Sequence, residues 1–137
     1  MTDVAAPARH LDDVECWELV RSAEVGRLVT VIAVRADIFP VNYLVDGDHI
    51  VIRTAEGTKL AGAIASDEVL FEVDHTDDER HVGWSVVIRG VAQEPRRLED
   101  VMHDQELDLR PWSNPDPKQR FIEIRPTDVS GRAVGGA

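Results

Sequence analysis

Arg53, Thr54, Gly57, Thr58 and Lys59 crowd the point where the apolar run Ile50-Val51-Ile52 gives way to Thr58–Ala65, a segment with helical spacing. These residue types make a workable grip for a phosphate. Backbone N–H groups at a helix start favour an anion, hydroxyls add donors, and Arg and Lys supply charge-assisted bonds. No strict phosphate-loop pattern accompanies them, and the same residues also suit a plain hairpin and helix start with solvated charges. Upstream, Pro40-Val41-Asn42-Tyr43 reads as the neighbouring strand, joined through the turn Val45-Asp46-Gly47-Asp48.

The elements that must position this grip are legible from the pattern on either side. Asp12-Asp13-Val14-Glu15 has the Asp-x-x-Glu form of a capping box. Cys16, Leu19, Val20 and Ala23 come next at helical spacing, which predicts a helix to about Ser22 with that face buried. Runs rich in β-branched residues predict strands over Val25–Ala33, Ile38–Leu44, His49–Thr54, Val69–Val73, Trp84–Ala92 and Phe121–Arg125. Helices are expected over Thr58–Ala65 and from Pro95 to about Gln105, with a polar loop over Asp74–His81. Residues 1–10 read as a disordered segment, 11–129 as one domain, and 130–137 as a Gly-rich tail that frays.

Most of these strands are apolar on both faces, which suits a closed barrel whose exterior packs on helices or a second subunit. The predicted fold class is therefore mainly β, of the α+β kind: a six-stranded antiparallel barrel with short flanking helices. A barrel this small fills its own interior with side chains. A ligand then belongs outside, in a groove or at a subunit interface, and a homodimer is the natural expectation.

Composition narrows the function. The chain has 137 residues, about one domain, and a net charge of −11. Bulk electrostatics thus oppose nucleic acid and anionic membrane surfaces, so an anionic ligand needs a local basic pocket. No apolar run approaches a membrane span, the N-terminus lacks the layout of a signal peptide, and the expected location is the cytoplasm. Cys16, the single cysteine, excludes an internal disulfide and reads as an inert core residue. His75 and His81 share the acidic loop with Asp74, Asp77, Asp78 and Glu79, but no metal-site spacing appears and no metal is expected. No nucleophile elbow or hydrolase set is present.

Taken in order, Val25-Gly26-Arg27-Leu28, Pro40-Val41-Asn42-Tyr43, Thr54-Ala55-Glu56-Gly57-Thr58-Lys59-Leu60, Val69-Leu70-Phe71-Glu72-Val73 and Gly83-Trp84-Ser85-Val86-Val87-Ile88-Arg89-Gly90 resemble the flavin-binding split-barrel superfamily. Within it the chain is most similar to the pyridoxamine 5′-phosphate oxidase-like group that includes nitroimidazole-resistance proteins. The resemblance covers about Leu11 to Arg132. It implies a split-barrel homodimer with FMN at the subunit interface, the phosphate near Arg53, Thr54 and Lys59, with Thr58 beside them. It implies ring contacts near Asn42 and Tyr43, interface positions for Trp84 and Arg89, and a cover over the ring from Trp112. Tyr43 and Trp84 also suit plain packing, Arg89 a surface ion pair, and Asn42 a backbone contact beside Pro40.

Departures from the family pattern refine the expectation. The chain ends Ile124-Arg125-Pro126-Thr127-Asp128-Val129-Ser130-Gly131-Arg132 and lacks the Arg-Leu-His element of true pyridoxamine phosphate oxidases. Arg53 and Thr58 stand where many nitroimidazole-resistance relatives carry histidines. The resemblance therefore implies a flavin-dependent oxidoreductase that transfers hydride to a small organic substrate. Two alternatives stay open: a reductase using the 8-hydroxy-5-deazaflavin coenzyme, and a non-catalytic flavin or haem carrier, with His75, His81 or His103 as haem ligands. No catalytic acid–base residue identifies itself, as expected where the cofactor does the chemistry.

Overall fold

The computed structural model describes residues 8–55, 57–109 and 119–135, leaving aside the side chains of residues 55, 58–60 and 119. In chain order the elements are β1 (Arg9–Leu11), α1 (Asp13–Arg21), β2 (Val25–Ile32), β3 (Arg35–Asp46) and β4 (His49–Ala55). They continue with α2 (Thr58–Ala65), β5 (Val69–Asp77), β6 (Val82–Gln93), α3 (Leu98–Glu106) and β7 (Gln119–Val134). The capping box forms as its spacing predicts. Asp12 accepts from the Glu15 N–H at 2.8 Å, while the Glu15 carboxylate reaches back to the Asp12 N–H.

The sheet runs β1-β7-β4-β3-β2-β5-β6 and closes on itself because β6 also pairs with β7. Strands β2 to β7 thus form the expected six-stranded antiparallel split barrel, and β1 adds a short seventh strand against the end of β7. Closure depends on the 16-residue length of β7. Its first part pairs with β4, from Ile50↔Ile124 to Ala55↔Gln119, and most of its length pairs with β6.

Alternation along each strand sends Ile50, Ile52, Ile88, Ile122 and Ile124 inward, where all are fully buried with Phe71. Each contributes about 1.5–3 kcal/mol of burial. The outer face of β4 and β7 is covered too, since Val51 and Phe121 are buried outside that interior cluster. Helix α3 is tied to this side by a 2.8 Å contact between His103 Nε2 and Asp46 Oδ2.

Several boundaries differ from expectation. Ser130–Val134 is strand, not tail, and Arg9–Leu11 pairs with Gly131–Ala133. Both stretches are held by close packing on α1: a Cβ on Gly131 would meet Cys16 Sγ at 2.7 Å, and Ala133 is buried. The loop expected over Asp74–His81 is mostly strand, because β5 runs to Asp77 and pairs with β6 as far as Asp77↔Val82. Alternating polar residues there continue a hairpin arm whose side chains face solvent. Helix α3 begins at Leu98, three residues beyond Pro95. None of the described helices is long and apolar enough to cross a membrane.

Candidate functional site

Arg53 is the residue on which the site turns. Its neighbours Ile50 and Ile52 point into the barrel, so the period of two sends Arg53 to the outer face, opposite Phe121 of β7. The guanidinium carbon lies 5.8 Å from the Phe121 ring centroid. Nε of Arg53 is buried and has no hydrogen-bond partner, and the guanidinium makes no ion pair among the described residues. A buried unsatisfied donor on a cation costs about 1–3 kcal/mol or more, so Arg53 is set up to receive an anion.

The start of α2 supports that use. The helix opens at Thr58 from the cap Gly57, and no side chain caps it. Gly57 adopts φ 154° and ψ −166°, a region open essentially to glycine alone, and a Cβ there would meet nothing within 4 Å. The first N–H groups of α2 therefore lack intrahelical partners beside open space.

Beside Phe121 lies a groove of about 520 Å³, within the range of small-molecule sites. Ile64 of α2, Val91 of β6, Val101 of α3 and Phe121 supply its apolar wall, and Gln93, Glu94, Arg96 and Arg120 its polar one. Arg120 holds Glu94 through two nitrogens at 2.7 and 2.6 Å, which fixes one rim of the groove.

The predicted site residues distribute unevenly around this groove. Asn42 shares the outer face with Arg53, one register step beyond the pair Tyr43↔Ile52, and is already engaged by a neighbour. Thr54 sits next to Arg53 but has the opposite parity, on the side of Ile50 and Ile52, and is likewise engaged. Thr58 and Lys59 lie in the first turn of α2, where only the backbone is described, and Trp112 falls outside the described residues.

Tyr43 belongs to the barrel interior. Its ring packs edge-on against Phe71 at 4.9 Å, its hydroxyl donates to the Val20 carbonyl, and burial pushes its pKa up. At 3% exposure its side chain is enclosed in the barrel interior, where it packs rather than lines the groove. Trp84 lies on the α1 side, packed on the core beside Leu11 and Leu19 rather than near Arg53. Arg89 is exposed and pairs with Glu68 at 3.2 Å, and Arg27 pairs with Glu72 and Asp74, so both cations are occupied. The residues that sequence reasoning missed are Phe121 and the Glu94–Arg120 rim. Their only sequence signal is the strand Phe121–Arg125; their place beside Arg53 comes from long-range register.

A closed six-stranded antiparallel barrel with short flanking helices and a groove on its outer face defines the class of small split-barrel proteins. The chain belongs to the pyridoxamine 5′-phosphate oxidase family, whose sequence profile matches residues 12–133. It is 38% identical to a pyridoxamine 5′-phosphate oxidase-like protein of Corynebacterium glutamicum, with a TM-score of 0.83 over 93% of this chain and 98% of that one. It is 40% identical to the FAD binding protein of Mycobacterium smegmatis, with a TM-score of 0.78 over 91% of this chain and 98% of that one. An uncharacterized protein of Mycobacterium tuberculosis is 36% identical over 127 residues, 89% of this chain and 82% of its own length.

Proposed function

We propose that this chain is a homodimeric flavin-binding oxidoreductase that holds the phosphate of its cofactor with Arg53 and the start of α2. The observation that carries the reading is the part-buried Arg53, whose Nε has no hydrogen-bond partner among the described residues and whose guanidinium lies over Phe121, a wall of the mixed polar and apolar groove. These residues fit the group in kind: a phosphate offers acceptors to the Arg53 guanidinium and to the uncapped first amides of α2. The FAD bound by the Mycobacterium smegmatis relative supports a flavin, and sets FAD beside FMN as the nucleotide to test.

When bound, a flavin supplies hydride transfer to or from a small organic substrate. The chain itself binds and orients. Arg53 neutralises phosphate, Lys59 and the hydroxyl of Thr58 are positioned in sequence to join it, and Ile64, Val91 and Phe121 form a wall that excludes water from a planar ligand. The second subunit is proposed to dock through the β2–β3 hairpin, where Val34 and Ile38 are 101% and 61% exposed.

The test is a fluorescence titration of purified protein with FMN, FAD and the deazaflavin coenzyme. Submicromolar binding of a flavin, followed by its reduction with a nicotinamide donor and reoxidation by a small acceptor, is the expected result. Tight binding of the deazaflavin alone moves the protein to that class of reductase. No binding below about 100 μM, near −5.5 kcal/mol, removes the flavin reading.

A further inference from the structure

On the same outer face, away from the groove, acidic and imidazole side chains from four elements converge. Asp46 ends β3, His49 opens β4, Glu123 lies in β7, and His103 and Asp104 lie in α3. Ligand-capable atoms of Asp46, His103 and Asp104 all fall within 4.8 Å of one another. His49 Nε2 stands 3.5 Å from Asp46 Oδ2 and 3.8 Å from Glu123 Oε2.

Asp104 is the observation that asks for a ligand. It is 0% exposed, and neither of its carboxylate oxygens has a hydrogen-bond partner among the described residues. The facing Glu123, at 6% exposure, is another carboxylate and, when ionised, donates nothing. Nε2 of His49 is also buried without a hydrogen-bond partner. A buried carboxylate without a counter-charge costs several kcal/mol. Two further carboxylates beside it raise that cost, and a bound cation would offset it more fully than the imidazoles of His49 and His103 that already face the cluster.

We propose that Asp46, His103 and Asp104, backed by His49 and Glu123, form a divalent metal site with mixed nitrogen and oxygen ligands. Imidazole and carboxylate ligands together suit Zn²⁺ better than Mg²⁺ or Ca²⁺, which prefer oxygen alone. A tetrahedral Zn²⁺ holds its ligands at about 2.0–2.2 Å, hence about 3.3 Å from one another. Side-chain rotation of roughly 1–2 Å closes the present cluster to that spacing. The position under α3, which reaches the barrel here through His103, makes the metal a staple between helix and sheet, distinct from the groove beside Arg53.

A proton shared between Asp104 and Glu123 is the competing way to relieve the charge. Burial and the Glu123 carboxylate push the Asp104 carboxyl up to about 7, the direction such sharing takes. Sharing relieves the repulsion between Asp104 and Glu123 and leaves the Asp46–His103 pair as it stands, whereas a cation draws Asp46, His103 and Asp104 to one centre.

The experiment uses the full chain stripped with chelator, then titrated with ZnCl₂ and, in parallel, MgCl₂. Metal content per chain and the thermal midpoint are followed together. The expected result is one Zn²⁺ per chain at micromolar affinity or tighter, a raised midpoint, and no comparable response to Mg²⁺. Asp104→Asn and His103→Gln should each weaken Zn²⁺ binding at least tenfold without changing the circular dichroism spectrum. His103 is more than half exposed, so its variant decides the matter if Asp104→Asn fails to fold. Absence of stoichiometric Zn²⁺ overturns the proposal, and so does undiminished binding in the folded variants. If Zn²⁺ is absent while Asp104→Asn raises the midpoint, the pair shares a proton instead.

Discussion

Replacing Arg53 with Met separates a binding role from a structural one, because the two predict opposite signs. In the ligand-free protein the guanidinium has one favourable contact among the described residues, the Phe121 ring at 5.8 Å, worth about 0.5–1 kcal/mol. Against it stands the buried Nε without a partner, at about 1–3 kcal/mol. Met keeps much of the aliphatic stem and removes both terms, so the apo-protein should be unchanged or more stable by about 1–2 kcal/mol. Flavin binding should move the other way. Losing one charge-assisted hydrogen bond costs about 1.5–3 kcal/mol, or roughly one to two decades in Kd. Arg53→Lys should fall between, since a point charge cannot reproduce the planar fork. Urea unfolding of the apo-protein and fluorescence titration with FMN and FAD give the two numbers. An apo-protein destabilised by more than about 1 kcal/mol with Kd unchanged would refute the reasoning, because Arg53 would then be a structural cation.

Four further outcomes are expected. Tyr43→Phe removes the buried hydroxyl bond to Val20 and should cost about 1–2 kcal/mol in chemical denaturation, while leaving flavin affinity within twofold; a large loss of affinity would return Tyr43 to the site. Gly57→Ala should cost about 1–3 kcal/mol by calorimetry, as strain rather than clash, since φ is 154° and the space is open. Burial, then Asp74, push the Glu72 carboxyl up to about 7 from 4.5, with Arg27 opposing. A raised folded value contributes stability that is complete below about pH 4.5 and is lost as pH rises through about 7, so Glu72→Gln should flatten that part of the stability–pH curve. Ile38→Glu should yield a monomer in light scattering and weaken flavin binding; an intact dimer would take the β2–β3 hairpin out of the interface.

Local signals in the sequence are sufficient for much of the frame. The Asp12–Glu15 box, the helix Thr58–Ala65 and the six barrel strands depend on neighbours a few residues apart, and all of them form. The two ends escape such signals because Arg9-His10-Leu11 and Ser130-Gly131-Arg132 look polar and glycine-rich. Their order comes from packing on α1, where Gly131 must lack a Cβ to clear Cys16. Part of the site is within reach of the pattern alone: period-two alternation puts Tyr43 with Val41 inside, Asn42 outside, and Arg53 and Thr54 on opposite faces. Phe121 beside Arg53 is beyond it, since that contact depends on pairing across 68 positions of chain.

The outer face of β4 and β7, with α3 over it, brings Arg53 and the buried carboxylate of Asp104 near one another, each with a polar atom that has no hydrogen-bond partner among the described residues, and their arrangement argues for ligands. Arg53 lies opposite Phe121, and the next outward pair along the two strands is Val51↔Glu123. A diagonal neighbour of this kind sits roughly 7–8 Å away, within the reach of an arginine side chain. Folding that served stability alone would let Arg53 turn to the Glu123–Asp104 carboxylates and cancel both deficits. The guanidinium instead lies over the Phe121 ring, and the carboxylates face His49, Asp46 and His103. Opposite charges that stay apart within reach of each other make sense if each has its own counter-ion: an anion at Arg53 and a cation at Asp104. The two sites should then titrate independently, so that saturating Zn²⁺ leaves the Kd for flavin within about twofold, a coupling below about 0.4 kcal/mol. Strong antagonism between them would mean that Arg53 and the acidic cluster pair with each other whenever either ligand is absent.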